Sequence, residues 1–164
     1  MPSPLRATDL VSMLDELFWG PAWHGPSLRG ALRGVTPAIA TRRPQPARHN
    51  IAEIAIHAAY WKYAVRRRLT GEKRGSFAAD GSNWFRRDHV TTAAWRTDIA
   101  RLIDEHRKLC AAVRGLGPKD LARRVPRSRS TFSDIARGVA AHDAYHAGQI
   151  QLIKRMVAAG RRSR

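Results

Sequence analysis

Between residues 131 and 159 the chain carries an apolar stripe at helical spacing in which two of the inward positions are histidines. Ile135, Val139, His142, His146, Gln149, Ile153 and Val157 recur every three or four residues, the period of one helix face. A stripe of this length has to be buried against other helices. His142 and His146 stand one turn apart on that face, where side chains have Cβ atoms about 5–6 Å apart and two ring nitrogens can converge on one cation. A bundle interior would ordinarily fill both positions with leucine. An imidazole buried without a partner costs about 1–3 kcal/mol, so each inward histidine needs a reason to be there.

Three further segments show the same period. Residues 8–19 place Leu10, Met13, Leu14 and Leu17 on one face, with Thr8 and Asp9 as start signals and Gly20-Pro21 as the stop. Residues 51–69 follow Asn50-Ile51-Ala52-Glu53, which has the form of a capping box, and end before Gly71. Ile54, His57, Ala58, Trp61, Val65 and Leu69 form their inward stripe, so a third histidine faces the core. Residues 92–113 repeat Trp95, Ile99, Leu102, Ile103, His106, Leu109 and Val113, and Gly115, Gly117 and Pro118 stop them. A short helical turn is expected near residues 28–33, and Pro37, Pro44 and Pro46 make the stretch after it irregular. The 71–90 connection, with Phe77, Trp84 and Phe85, is long enough to serve as a lid or a pocket wall. No segment alternates with period two between turns. The expectation is an all-α four-helix bundle with a long connection between its second and third helices, and with any site built from side chains on facing helices.

Composition sets the boundaries of function. With 164 residues the chain is expected to form one domain, residues 1–164, ending in a basic tail at 161–164. The hydrophobic share of 43% is enough to build a core despite a formal charge of +17. A single cysteine, Cys110, excludes an intrachain disulfide and a cysteine-based zinc finger. No apolar run approaches the roughly 18 residues of a membrane span, and Met1-Pro2-Ser3-Pro4-Leu5-Arg6 lacks a leader's apolar core. A cytoplasmic protein with no membrane partner is therefore expected. The positive charge suits an anionic small molecule or a nucleic acid. However, the basic residues are dispersed as pairs and triplets, without zinc-finger spacing, a basic zipper or an RNA-binding aromatic motif. A solvated basic surface that steers an anionic substrate is the favoured account, and nucleic-acid binding the alternative.

His57, His142 and His146 are thus the candidate metal ligands. Three neutral imidazoles suit zinc, with nickel, manganese, iron and cobalt also accepted, and three protein ligands leave a coordination position open. Glu53, Asp143 and Gln149 are each placed to orient a ligand, although a helix cap, a solvent charge and a polar core filler are the plainer readings. His49 looks like a residue leading into its helix, and His24 like part of a turn. His89 and His106 have no partner at ligand spacing, and Cys110 reads as helix packing. Tyr60, Tyr63 and Tyr145 could donate to a substrate. No phosphate loop, nucleophile elbow or His-Glu-x-x-His motif is present, and no catalytic acid or base can be named.

The run His142-Asp143-Ala144-Tyr145-His146-Ala147-Gly148-Gln149-Ile150, with His57 inside Ile54-Ala55-Ile56-His57-Ala58-Ala59-Tyr60-Trp61, resembles the DinB-like family of bacterial damage-inducible proteins. Trp23-His24-Gly25-Pro26 adds to the likeness. The resemblance implies a four-helix bundle holding a divalent metal through three histidines, here His57, His142 and His146. It also implies frequent homodimers and a wider group of S-transferases and isomerases that use a low-molecular-weight thiol, mycothiol or bacillithiol. A metal-dependent transferase or hydrolase is the leading expectation. A basic nucleic-acid-binding module, or a stress-response protein that its metal only stabilises, is the alternative.

Overall fold

The computed structural model describes residues 5–75 and 77–162, with side chains through residue 159. Residues 1–4 and the side chains of the basic tail at 161–164, both of which figured in the sequence expectations, lie outside the described residues. The elements in order are α1 (Ala7–Trp19), α2 (Leu28–Ala31), α3 (Pro37–Ala40), α4 (Ile51–Thr70), α5 (Thr92–Arg114), α6 (Pro118–Ala122) and α7 (Phe132–Arg162). Among the described residues there is no strand, only the isolated bridges Ala22–Gly25 and Arg124–Thr131. No helix among them is long and apolar enough to cross a membrane.

The four long helices close a ring. α1 packs on α5 and α7, and α4 packs on the same two, so α1 and α4 occupy opposite corners of an all-α bundle. The short helices cover its sides: α2 lies against α7 and α1, α3 against α4, and α6 against α7. Each of the short helices begins where the sequence supplies a local start. Ser27 Oγ accepts the Gly30 amide at 3.2 Å, Thr36 precedes a proline at the first position of α3, and Gly117 does the same for α6. The stretch around Pro37, irregular by its composition, therefore contains a helical turn. α7 also continues to Arg162, beyond the end at residue 159 expected from its stripe.

α4 is the central element. Asn50 Oδ1 accepts the Glu53 amide at 2.9 Å, while Asn50 Nδ2 donates to Arg87 O at 2.8 Å and Thr41 O at 3.2 Å. The cap thus ties the head of α4 to two flanking segments. Only half of the capping box is realised, because the Glu53 carboxylate turns away to Arg43, His49 and the Arg87 amide. Gly71 closes the helix at φ 78°, a left-handed conformation that favours glycine, and its N–H donates to Arg67 O at 2.9 Å.

The apolar core comes in two clusters, and the division between them positions everything that follows. One gathers Phe18, Ile51, Ile54, Ile56, Phe85, Trp95, Leu102, Ile150 and Ile153. The other gathers Leu10, Leu14, Val65, Leu69, Leu109, Val113, Phe132 and Val139. All four long helices pass from one cluster to the other through a polar layer. Asp15 lies there on α1, His57 and Lys62 on α4, Glu105 and His106 on α5, and His142, Asp143 and His146 on α7.

Candidate metal centre

Two facing helices build the centre. α7 contributes His142 and His146 from consecutive turns, and α4 contributes His57 from the opposite wall. Their Nε2 atoms converge: His142 Nε2 is 2.9 Å from His146 Nε2 and 3.1 Å from His57 Nε2. A cation about 2.0–2.1 Å from each of two nitrogens holds them about 2.9 Å apart at a right angle and about 3.4 Å apart at the tetrahedral angle. The observed separations fall in that range.

The protons sit on the far side of the rings. His57 Nδ1 donates to the Asn83 carbonyl at 2.7 Å, and His146 Nδ1 donates to Gln149 Oε1 at 2.7 Å. A neutral imidazole carries one N–H, so both Nε2 atoms present lone pairs. Three nitrogens then face one another with at most one proton, that of His142, to share. His142 Nδ1 is buried and has no partner among the described residues. Burial holds all three rings neutral. It lowers His57 against the opposing Asn83 carbonyl, takes His142 down to about 3 with help from the neighbouring imidazoles and Lys62, and takes His146 down to about 4. Neutral rings with converging lone pairs are a cation site in search of its charge, and the residues fit a divalent metal.

The surroundings fix the rings in place. Asn83 adopts φ 63°, a left-handed conformation that asparagine tolerates better than most residues. Its carbonyl thereby meets His57 while its Oδ1 accepts Trp61 Nε1–H at 2.9 Å. Trp84 stacks between two imidazoles, with ring centroids 3.7 Å from His57 and 3.6 Å from His49. His49 Nδ1 donates to Glu53 Oε2 at 2.9 Å. Burial opposes ionisation of Glu53, but bonds from Arg43, His49 and the Arg87 amide hold its carboxyl below the usual range. Gln149 Nε2 donates to the Tyr145 hydroxyl at 2.9 Å, continuing the chain from His146 to an exposed ring.

A cavity of about 500 Å³ opens beside His146. Ile54, Trp84, Leu152, Ile153 and Met156 give it an apolar wall, while Arg48, His49, Gln149 and Tyr145 supply polar groups, with no carboxylate among its lining residues. His142 faces a smaller hollow of about 280 Å³ beside Trp61 and Arg68.

A family model of the DinB superfamily matches residues 22–150. The chain belongs to the DinB superfamily. That match spans His57, His142 and His146 and ends at Ile150. No curated protein and no solved structure matches the chain.

The remaining sequence candidates divide. Gln149 is placed to orient His146, as its spacing suggests, whereas Glu53 orients His49 instead of a member of the triad. Asp143, whose plain reading was a solvent charge, is fully buried and paired with Lys62. His24 and His89 are exposed, and Trp23 beside His24 is 97% exposed, away from any pocket described here. Tyr63 accepts the Gly75 amide at 3.1 Å, a structural bond, and Tyr145 alone of the tyrosines lines the cavity. The roles of Asn83 and Arg48 were missed, whereas Trp84 lines the cavity as the expected pocket wall. The aromatic cluster at 77–85 signalled a pocket wall, but no residue pattern identified which carbonyl would meet His57. His106, expected to have no partner at ligand spacing, does have one: Cys110, expected only to pack, lies one turn on along α5 with its Sγ 3.5 Å from His106 Nε2.

Proposed function

We propose that the chain is a divalent-metal-dependent enzyme in which His57, His142 and His146 hold the cation and a small anionic molecule occupies the adjoining cavity. The observation that carries this reading is the convergence of three Nε2 atoms, two of them freed as lone pairs by outward N–H bonds, at the edge of a cavity. Zinc suits three neutral imidazoles best, with nickel, manganese, iron and cobalt as alternatives. Bound there, the cation supplies Lewis acidity, lowering the pKa of a coordinated water or thiol toward neutrality.

The chain's own residues account for the rest. Asn83 and Gln149 hold two of the rings in one tautomer and orientation. Trp84, Ile153 and Met156 keep water from one side of the reacting space, and Arg48 and His49 give its mouth a basic edge. The net charge of +17 draws anions toward that edge. The reaction that matches such a site is transfer of a low-molecular-weight thiol to an electrophilic substrate, with hydrolysis the variant in which water replaces the thiol.

The test is metal content in untagged protein beside His57→Ala and His146→Ala, with helicity checked by circular dichroism. Each variant is expected to hold one equivalent less of divalent metal than the wild type while keeping its fold. Unchanged metal content in either folded variant would overturn the assignment.

A further inference from the structure

The polar layer contains a second convergent donor set, on the opposite side of the bundle from the three histidines. His106 and Cys110 stand one turn apart on α5, and Asp15 reaches them from α1. His106 Nε2 lies 2.9 Å from Asp15 Oδ1 and 3.5 Å from Cys110 Sγ, and Cys110 Sγ lies 3.7 Å from the same Asp15 oxygen. These are one nitrogen, one sulfur and one carboxylate oxygen, each a ligand type that zinc accepts. With metal–ligand lengths of about 2.0–2.1 Å to nitrogen and oxygen and 2.3 Å to sulfur, tetrahedral edges are about 3.3–3.4 Å for N–O and about 3.5–3.6 Å for edges to sulfur. The observed triangle needs shifts of only a few tenths of an ångström to match. We propose that Asp15, His106 and Cys110 form a second metal site, taking a thiolate-tolerant divalent cation such as zinc or cobalt.

The burial pattern suits entry from one side. His106 and Cys110 are buried, but the Asp15 side chain is 42% exposed and floors an open depression with Ser12, Glu16 and Trp19. A cation meets the carboxylate first and then the two inner donors, and its fourth position faces solvent. Phe18 stacks on the His106 ring at 3.8 Å and keeps Nε2 aimed at the cluster. The charges also close. The Asp15 carboxylate and a Cys110 thiolate together offset a divalent ion. Lys62 is already paired with Asp143, and Arg114 sits 4.0 Å from the other Asp15 oxygen, while Oδ1 faces the imidazole and the thiol. Binding exchanges protons for the cation. The thiol gives its proton to solvent, and the imidazole proton moves from Nε2 to Nδ1, which has no other partner among the described residues. Without metal, burial and the Asp15 carboxylate push the thiol up to about 12, so it is a poor nucleophile and a poor redox group. The site stands apart from the enzymatic reading and does not depend on it.

Because the chain has one cysteine, a thiolate–metal signal can come only from Cys110. Reduced, metal-stripped full-length protein is titrated with cobalt and followed in the near ultraviolet, where thiolate-to-cobalt charge transfer absorbs. A band whose full height corresponds to one cobalt per chain, reached by two added equivalents because the histidine centre also takes cobalt, is expected; it is absent in Cys110→Ser, retained in His146→Ala, and requires at least about tenfold more cobalt in Asp15→Asn. Saturating cobalt without a charge-transfer band in folded wild-type protein would overturn the proposal. So would a band of unchanged affinity in Asp15→Asn. Since the wild-type spectrum alone decides whether the thiolate binds, a variant that fails to fold does not leave the question open. Loss of histidine-held metal in His146→Ala tests the other centre separately.

Discussion

Lys62→Met should be among the most damaging single substitutions outside the histidine cluster. Lys62 on α4 and Asp143 on α7 form an ion pair in which both side chains are 0% exposed, and Lys62 Nζ also lies 4.8 Å over the Phe18 ring of α1. One ammonium therefore ties three helices together in the polar layer. Asp143 Oδ1 has no partner among the described residues, so the carboxylate depends on Lys62 for its compensation. Removing one member of a buried pair leaves an uncompensated charge and costs about 3–5 kcal/mol. A domain of this kind has about 5–15 kcal/mol in total. In a domain of about 150–250 residues each kcal/mol shifts the melting temperature by roughly 2–4 °C, so a fall of roughly 6–20 °C is expected. Replacing both members, Lys62→Met with Asp143→Leu, removes the buried charge along with its partner and should recover wild-type stability or exceed it by up to about 4 kcal/mol.

The assay is guanidinium unfolding followed by far-ultraviolet circular dichroism, in chelator so that metal binding does not contribute. The pH dependence supplies an independent check. Burial pushes the Asp143 carboxyl up, and Lys62 opposes that shift; without Lys62 the folded carboxyl titrates higher still. A carboxyl raised above its unfolded value favours folding when protonated, and that contribution is lost as pH rises from the unfolded value of about 4 through the folded one. The deficit of Lys62→Met should therefore shrink on acidification toward pH 4. The reasoning is refuted if the single substitution costs less than about 1 kcal/mol at pH 7, or if the double substitution costs the sum of the two singles.

Two other perturbations test the parts around the centre. Gln149→Leu removes the acceptor of the His146 Nδ1 proton without touching a donor nitrogen, and should weaken divalent-metal affinity about 10–100-fold in a competition titration; unchanged affinity would mean that the bond orients nothing. At the head of α7, Asp134 Oδ2 accepts the Thr131 amide at 2.9 Å and the Thr131 hydroxyl at 2.8 Å, while Thr131 Oγ1 accepts the Asp134 amide at 3.2 Å. Asp134→Ala should cost about 1 kcal/mol at pH 7 by denaturant unfolding. Bonds from the Thr131 amide and hydroxyl and from Arg137 hold the Asp134 carboxyl down to about 2, so the contribution is complete above the unfolded value near 4 and is lost as pH falls through about 2. A deficit that stays constant from pH 7 to pH 2 would contradict this.

The sequence made the long helices legible because their signals are local. Asn50 and Gly71 act within a turn of themselves, and a stripe such as Leu102, Leu109 and Val113 reports its own buried face. The three histidines were legible for the same reason: each replaces an apolar residue at an inward position. Of their surroundings, Gln149 and the aromatic pocket wall were legible, but the other contacts were not. The Asn83 carbonyl reaches His57 only because a connection without periodicity adopts a left-handed turn, and Trp84 slots between His49 and His57 only in the folded chain. Asp143 shows the limit most clearly. Beside His142 in the sequence, it occupies a different face of α7 and serves the ion pair with Lys62 instead of the triad.

His106 and Cys110 have the spacing of His142 and His146, and comparing the two pairs shows what spacing can and cannot do. Four residues on a helix place two donors side by side whatever the protein, so the interval alone carries little information. The α7 pair stood out because both members are imidazoles on an inward stripe, and a third inward histidine, His57, lies on another helix. The α5 pair joins an imidazole to a thiol, and a buried cysteine is an ordinary small apolar residue in most helices. Its third donor, Asp15, lies on α1, at a half-exposed position that no stripe of buried residues marks. The decisive information is thus which helices are neighbours. Each long helix meets two others, but at the polar layer Asp15 of α1 reaches donors on α5 while His57 of α4 reaches donors on α7, which gives a nitrogen-only cluster on one side and a mixed nitrogen, oxygen and sulfur cluster on the other. The two would differ in preference accordingly: the imidazole cluster accepts a broad range of divalent ions, whereas the thiolate favours softer ones such as zinc.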